Sequence, residues 1–354
     1  MPDVLYVGLQ DDDRVAVFAI DGASGRLAKA ADMAAEGGPS VFAISPDRRT
    51  LFVGHRTRPA IASYRIDPAG GRLSLVATAA QADAPTFLAP DRSGRYLLAA
   101  YYQGGYAAVY PIAADGSVGA AASDKQQTAI GAHAIATDPS NRFAFVPHIC
   151  RIQDNVLEPP KNNPGPNVIM QFRFDAQNGR LTPNSPFRVA QDELVGPRHY
   201  CFHPSLDIVY FSNEQGCSVT AYHLDRATGA LTAMQTITTL PAGHSERTTC
   251  SQIHLTPSGR FLYVGNRAAT SSNIAAFAVD AASGRLTAAG HAATEPVPSA
   301  FCLDPAGQFL FAAGTASGRL ASYRIDQATG ALAPLAAEAV GQRPAAVLAT
   351  RLGS

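Results

Sequence analysis

The sequence lacks tryptophan, CxxC pairs and an excess of charge of either sign. Its 28 basic residues balance 28 acidic ones without a basic run, so no partner of nucleic acid or membrane is predicted. The five cysteines are odd in number and scattered, which favours reduced, mostly buried thiols over a disulfide framework. The opening residues MPDVLYVGLQDDD have no basic segment followed by a long apolar stretch. Neither a signal peptide nor a transmembrane helix is therefore predicted, and we expect a cytoplasmic protein.

What the sequence has instead is an internal repeat. A strand of alternating apolar and polar residues, often an Asp, and a turn with glycine recur seven times, as in VFAIDGASGRL (17–27) and AFAVDAASGRL (276–286). We expect these glycines to supply the positive φ of a tight hairpin. The turn glycines are Gly25, Gly71, Gly116, Gly179, Gly229, Gly284 and Gly330.

A second phrase, two apolar strands joined by a proline turn, precedes each copy from the second onward, as in SQIHLTPSGRFLYVG (251–265). Each unit thus has four short strands, which is typical of a propeller blade. The chain starts on a second strand, VLYVGL (4–9), and ends on a first strand, PAAVLATRL (344–352). The sequence predicts an all-β, seven-bladed β-propeller with four-stranded blades. We expect one domain over residues 1–354, with the ring closed by pairing of the N- and C-terminal strands.

The start of each first strand and the end of each second strand should meet at one mouth of the central channel. Six residues before each turn proline lie Ser40, Ala84, His133, Arg198, Ser251 and Ser299. The second strands end on His55, Tyr101, His148, Asn213, Asn266 and Gly314, followed by Arg56, Tyr102, Ile149, Glu214, Arg267 and Thr315. Positions that serve only the structure of the repeat should hold similar residues in every blade, and these positions at the mouth do not. Such variation is what a ligand site at the mouth would produce.

Three phrases carry a resemblance to a known family: GPRHYCFHPS (196–205), SNEQGCSVTAYHLD (212–225) and SQIHLTPSGRFLYVGNR (251–267). They resemble the lactonase family of seven-bladed propellers, and the resemblance extends over essentially the whole chain. The family includes bacterial cycloisomerase-type 6-phosphogluconolactonases and fungal carboxy-cis,cis-muconate lactonizing enzymes. The resemblance implies an active site without metal at the mouth, with Arg198, Glu214 and Arg267 as catalytic residues. His148, in VPHI, matches a histidine of the muconate branch, where many bacterial members have an Asp-containing phrase instead.

The chemistry of these residues suits hydrolysis of a lactone. Arg198 and Arg267 could hold the oxyanion that forms when water adds to the ester carbonyl. His148 titrates nearest neutrality and is the expected proton shuttle, with Glu214 as the alternative base or as the group that orients Arg198. We expect substrate contacts from His133, His55, Tyr101, Gln252, Arg151 and His199.

The segment 149–167 accounts for the long spacing between Gly116 and Gly179 and is rich in Pro and Asn. It is either a lid or wall of the mouth, with Arg151 and Lys161 near an anionic substituent, or a plain surface insertion. The stretch LPAGHSERTTC (240–250) is a similar candidate.

We therefore expect a metal-independent sugar-lactone hydrolase without a cofactor, acting on an aldonolactone or 6-phosphogluconolactone as a monomer or weak homodimer. The same residues could instead isomerise lactone ring size or catalyse a muconate-type cycloisomerisation. A non-enzymatic interaction scaffold is a further alternative, although no Trp-Asp signature supports it.

Each candidate also has a structural explanation: the histidines could be hydrogen-bonded strand-end residues, and Arg198–Glu214 could be an inter-strand salt bridge. The histidines and Glu214 could in principle bind zinc, but HxH and HExxH spacings are absent and the arginines would repel a cation.

Overall fold

The computed structural model describes residues 2–149 and 166–353. In these ranges the chain forms seven four-stranded antiparallel sheets, the blades of a propeller. The strands β1 (Asp3–Leu9), β2 (Arg14–Ile20) and β3 (Leu27–Ala34) begin blade 7, and a 3-10 turn, Gln10–Asp12, follows β1.

Blades 1 to 6 follow in chain order. Blade 1 is β4 (Pro39–Ile44), β5 (Thr50–His55), β6 (Ala60–Ile66) and β7 (Leu73–Ala80); blade 2 is β8 (Phe87–Pro90), β9 (Tyr96–Tyr101), β10 (Tyr106–Pro111) and β11 (Asp124–Gln127). Blade 3 is β12 (Ala136–Thr137), β13 (Phe143–His148), β14 (Val168–Asp175) and β15 (Arg180–Ala190); blade 4 is β16 (Pro197–Phe202), β17 (Ile208–Asn213), β18 (Ser218–Leu224) and β19 (Leu231–Thr238). Blade 5 is β20 (Thr249–Leu255), β21 (Phe261–Arg267), β22 (Asn273–Val279) and β23 (Leu286–Ala293); blade 6 is β24 (Pro298–Leu303), β25 (Phe309–Gly314), β26 (Arg319–Ile325) and β27 (Leu332–Ala339). The last strand, β28 (Pro344–Arg351), completes blade 7.

The first strand of each blade lies innermost. First strands of neighbouring blades contact one another around the ring, with β28 between β24 and β4, and β13 contacting β16 where β12 is short. The hydrophobic core is divided among seven clusters, one between each pair of adjacent blades. Because side chains alternate between the two faces of a strand, each sheet contributes to the cluster on either side of it. This packing holds the mouth residues on a rigid frame.

The predicted turn glycines also connect blades. All seven have positive φ, as predicted from the repeat. At Gly229 in blade 4, an added Cβ would lie 2.1 Å from the ring of Phe143 in blade 3, so no larger residue fits there. Tyr210 in blade 4 donates a hydrogen bond of 2.7 Å to the carbonyl of Gly284 in blade 5.

Blade 7 closes the ring as the sequence predicts. β1 pairs with β2 on one side and with β28 on the other, so the two ends of the chain complete one sheet. Arg351 and Asp3 face each other in this register, and the guanidinium contacts the carboxylate through two hydrogen bonds of 2.8 and 2.9 Å. The predicted all-β, seven-bladed architecture is confirmed. No helix in the part of the chain described here is long and apolar enough to cross a membrane.

Candidate functional site

A cavity of about 400 Å³ opens at the mouth of the channel, and every blade contributes to it. One repeat position lines it in all seven blades: the residue that follows the predicted end of the second strand. These residues are Gln10, Arg56, Tyr102, Ile149, Glu214, Arg267 and Thr315. Arg56, Tyr102, Ile149, Glu214, Arg267 and Thr315 were placed near the mouth by the repeat, whereas Gln10 in blade 7 was missed. Its position directly after VLYVGL is the signal that could have identified it.

The preceding position of the same strands faces the blade interior instead, because strand side chains alternate between faces. Three of the predicted site residues occupy it, and none of them lines the cavity. His55 is 2% exposed and His148 is fully buried. Tyr101 stacks on Tyr106 with ring centroids 4.3 Å apart and hydrogen-bonds to Tyr110 at 2.8 Å. The expected roles of His55 and Tyr101 in substrate binding therefore do not fit their location.

His148 was the expected proton shuttle, and its location does not suit that role. Both ring nitrogens are buried, and burial lowers the pKa of His148 to about 4, an effect that the backbone of Val168 and of Val146 opposes. A fully enclosed imidazole cannot reach a substrate in the cavity.

Several first strands, among them β4, β16, β20 and β24, reach the mouth through β-bulges, which re-aim side chains. In β16 the pairing shifts between Pro197 and Tyr200, and the two residues between them, Arg198 and His199, both line the cavity. In β20 the shift lies between Cys250 and Ile253.

In the bulge of β20, Gln252 lines the cavity as expected, whereas Ser251 does not. The Ser251 hydroxyl is buried and donates to the carbonyl of Pro298 at 2.7 Å. Ser251 was expected at the mouth because it lies six residues before the turn proline. The bulge changes which residue faces the cavity without changing that distance along the sequence.

Arg198, Glu214 and Arg267 form a buried ion triad on blades 4 and 5. Oε2 of Glu214 lies 2.8 Å from Nε of Arg198 and 3.0 Å from Nη2 of Arg267. The three residues are 7%, 1% and 2% exposed, respectively. Nη2 of Arg267 also donates to the carbonyl of Cys250 at 2.8 Å. Two cations share one carboxylate, so the triad keeps a net positive charge.

Two N–H groups of the triad are not used within it. Nη1 of Arg198 and Nε of Arg267 are buried and have no hydrogen-bond partner in residues 2–149 and 166–353. Burial and the charge of Arg267 lower the pKa of Arg198 to about 10, while Glu214 opposes this shift. Arg198 therefore remains protonated at neutral pH. A buried donor without a partner is costly in a folded protein, which favours an anionic or carbonyl ligand here.

Two histidines flank the triad. Nδ1 of His133, on the loop before β12, lies 3.1 Å from Nε2 of His199 in β16. Burial, followed by the charge of Arg198, lowers the pKa of both rings well below their ordinary value, so both are neutral at neutral pH. The ring of Tyr102 lies edge-on to His133 at 5.9 Å, and that of Phe87 edge-on to His199 at 5.0 Å. Both histidines line the cavity, as expected.

Two further cations line the cavity on blades 1 and 7, across the ring from the triad: Arg56 and Arg343. Both are exposed. The sequence identified Arg56 as a possible cation of the mouth but missed Arg343, which lies in the link before β28. Arg247, in the stretch 240–250 that the sequence offered as a second candidate for the wall of the mouth, does not line the cavity. Arg151, Lys161 and the rest of 150–165, including the expected lid, lie outside the described residues.

No three His, Cys, Asp or Glu side chains within the described ranges are grouped as a metal site. The donor groups of the mouth suit a ligand with oxygen acceptors: a cationic triad with unused N–H groups, two neutral imidazoles and two more arginines opposite. Fold and site together define a propeller of the enzyme type, with a small-molecule pocket at one end of its channel.

The chain belongs to the family described as "Lactonase, 7-bladed beta-propeller", whose model matches residues 4–349. The 6-phosphogluconolactonase of Pectobacterium atrosepticum is 35% identical over 345 residues, covering 97% of either chain. The protein of the same name from Yersinia pestis is 31% identical over 344 residues, again 97% of either chain. Among solved structures, the periplasmic gluconolactonase PpgL of Pseudomonas aeruginosa superposes with a TM-score of 0.86 at 26% identity, covering 99% of this chain and 100% of that one. The family resemblance inferred from the sequence is confirmed.

Proposed function

We propose that the protein hydrolyses the ester bond of a sugar lactone at this mouth. The observation that carries the proposal is the buried Arg198–Glu214–Arg267 triad, whose unused donors belong to residues that line the cavity. Relatives named 6-phosphogluconolactonase and a structural neighbour named gluconolactonase support the same reaction.

The triad is the electrophilic side of the proposed site. When water adds to the lactone carbonyl, negative charge develops on the carbonyl oxygen. Arg198 Nη1 and Arg267 Nε are buried N–H groups whose position is fixed by Glu214. Donors fixed before the reaction stabilise such charge without reorganisation. Glu214 acts here by holding the two guanidiniums together, since its Oε2 accepts from Arg198 Nε and forms an ion pair with Arg267.

His133 is the proposed proton-transfer group. It is neutral at neutral pH, so one of its ring nitrogens has a free lone pair. As water attacks, its proton moves to His133 and a tetrahedral intermediate forms. The bond between the carbonyl carbon and the ring oxygen then breaks, and His133 returns the proton to the leaving alkoxide. The product is the open-chain sugar acid, and the side chain ends in its starting protonation state.

A phosphorylated lactone is the favoured substrate. The triad occupies blades 4 and 5, whereas Arg56 and Arg343 lie across the ring on blades 1 and 7. A ligand with its carbonyl at one end and a phosphate at the other has a cationic partner at each end of the cavity. Arginine suits phosphate through two parallel N–H bonds.

The test is to mix the purified protein with aldonolactones, with and without a 6-phosphate, and to follow acid release by a pH indicator and products by NMR. We expect acid release, faster for the phosphorylated lactone. The Arg198→Lys variant, which keeps the charge but loses the forked donors, should lower kcat by about 10²–10³-fold. Arg226→Lys, at an exposed arginine of the same blade, is the matched control. Rearranged lactone without acid would mean an isomerase, and no turnover of any lactone would contradict the proposal.

A further inference from the structure

The proposed mechanism uses His133 but leaves its neighbour His199 without a role. Nε2 of His199 lies 3.1 Å from Nδ1 of His133, and His199 is 7% exposed. The contact joins blade 4 to the entry of blade 3 inside the cavity wall. The inference drawn here rests on the proposed function, because it concerns how His133 is prepared for proton transfer.

Burial, followed by the charges around the pair, keeps both rings neutral. Those acting on His199 are Arg198, His133, His254 and Arg267, and each disfavours its protonation. Those acting on His133 are Arg198, Arg267 and Arg56, with the same effect. Neither ring has a carboxylate among these neighbours. The hydrogen bond between the rings is therefore one between neutral imidazoles.

Two neutral imidazoles in this contact share a single proton between the facing nitrogens. One nitrogen must donate and the other must accept, so the tautomer of one ring determines the tautomer of the other. If Nδ1 of His133 donates, its Nε2 has the free lone pair that a base needs. If Nε2 of His199 donates instead, Nε2 of His133 carries a proton and cannot accept one.

We propose that His199 is a positioning residue that accepts the Nδ1 proton of His133 and so holds Nε2 of His133 as the base. When Nε2 receives the proton of the attacking water, His133 becomes an imidazolium whose Nδ1–H still donates to neutral His199. The Nδ1 proton stays in place, and only the Nε2 proton travels to the alkoxide. A neutral acceptor performs here the orienting task that a carboxylate performs in other histidine-based sites.

Two substitutions at position 199 test this role. His199→Phe keeps a flat ring beside Phe87 but removes the acceptor, and we expect kcat to fall by about 10²-fold with KM little changed. His199→Gln retains an acceptor oxygen and should recover part of the loss. His223→Gln, at an exposed histidine of β18 in the same blade, is the control and should keep the wild-type kcat.

The tautomer itself can be measured without any substrate. In 15N-labelled protein at pH 7, long-range 1H–15N spectra report which ring nitrogen carries the proton, and His133→Gln assigns the His133 signals. We expect His133 to be Nδ1-protonated in the wild type and to lose that preference in His199→Phe. An Nε2-protonated His133 in the wild type, or an unchanged tautomer and kcat in His199→Phe, would overturn the proposal.

These measurements separate the two proposals. Absence of acid release from every lactone would contradict the proposed function, whereas the tautomer of His133 would still be measured. If His199→Phe fails to fold, the comparison of wild type with His199→Gln decides, since the amide can either accept from or donate to His133. A Gln variant with the tautomer of the wild type and at least part of its kcat supports an acceptor role, and one that keeps the wild-type kcat with an Nε2-protonated His133 contradicts it.

Discussion

Glu214 and Arg198 form an ion pair that is closed to solvent, with Oε2 and Nε 2.8 Å apart and side chains 1% and 8% exposed. Oε2 also forms an ion pair with Arg267 at 3.0 Å, so a single carboxylate neutralises part of two buried positive charges. The stability of the mouth and its proposed chemistry therefore depend on the same residue.

Replacing Glu214 by Gln should destabilise the protein and inactivate it. The two guanidiniums would then face each other without a counter-ion, and breaking a buried pair costs about 3–5 kcal/mol. Denaturant unfolding measures the loss, and turnover should fall by orders of magnitude at temperatures where the variant is folded. Glu338→Gln, at an exposed position of β27, is the control. A variant as stable and active as that control would contradict the assignment of the triad.

The buried His148 predicts a loss of stability in acid. Its folded pKa of about 4 lies below the unfolded value near 6.5, so the unfolded chain binds more protons between these values. Stability is full above about pH 6.5 and falls as pH decreases toward 4, by about 3 kcal/mol from this residue. Unfolding of His148→Leu at several pH values should show a smaller decrease than the wild type. The same decrease in both proteins would contradict the prediction.

The neutral state of His133 predicts an unusual pH–rate profile. A base with an ordinary histidine pKa would lose activity as pH falls through about 6.5. Because burial and Arg198 lower the pKa of His133 well below that value, kcat/KM should remain level through pH 6 and decline only in stronger acid. The measurement is kcat/KM for a chemically stable lactone over this range. A midpoint at or above 6.5 would be inconsistent with His133 as the base.

The cations opposite the triad predict substrate discrimination. In Arg56→Ser/Arg343→Ser, each lost charge-assisted bond should cost about 1.5–3 kcal/mol of binding, which raises KM for a 6-phosphorylated lactone at least tenfold. KM for the unphosphorylated lactone should stay the same. Arg65→Ser, at an exposed arginine outside the mouth cavity, is the control. Equal effects on both lactones would contradict a phosphate contact.

The repeat made the fold predictable, because the seven turn glycines and the two half-blades at the ends require a closed ring. It also contained the information that His148 faces away. Glu214 and Arg267 lie one residue later in the repeat than His148, and residues one apart on a strand point to opposite faces. His148 matches a histidine of the muconate branch at a single position. The alternation of side chains along the strand nevertheless directs His148 away from the cavity.

Other parts of the site could not be predicted from spacing. Gln252 lines the cavity as expected but Ser251 does not, because the bulge in β20 adds a residue without any marker in the sequence. His133 and His199 are 66 residues apart and meet only because two blades pack side by side. Arg343 lies in the link before β28. This position is neither the start of a first strand nor the end of a second strand, so the repeat does not mark it.

The pairing of β1 with β28 has a consequence for synthesis of the protein. Asp3 and Arg351, which contact each other in the finished ring, are separated by 348 positions. A ribosome makes β1 before the other strands of the ring and β28 after them, so the inner edge of β1 stays without its partner until all the other blades have been synthesised. For that interval the nascent chain exposes an open strand edge, the kind of surface that invites pairing with another chain. Newborn molecules therefore depend on rapid capture of their own C-terminal strand, and a ribosome that stalls before Pro344 leaves a protein with an unfinished pocket.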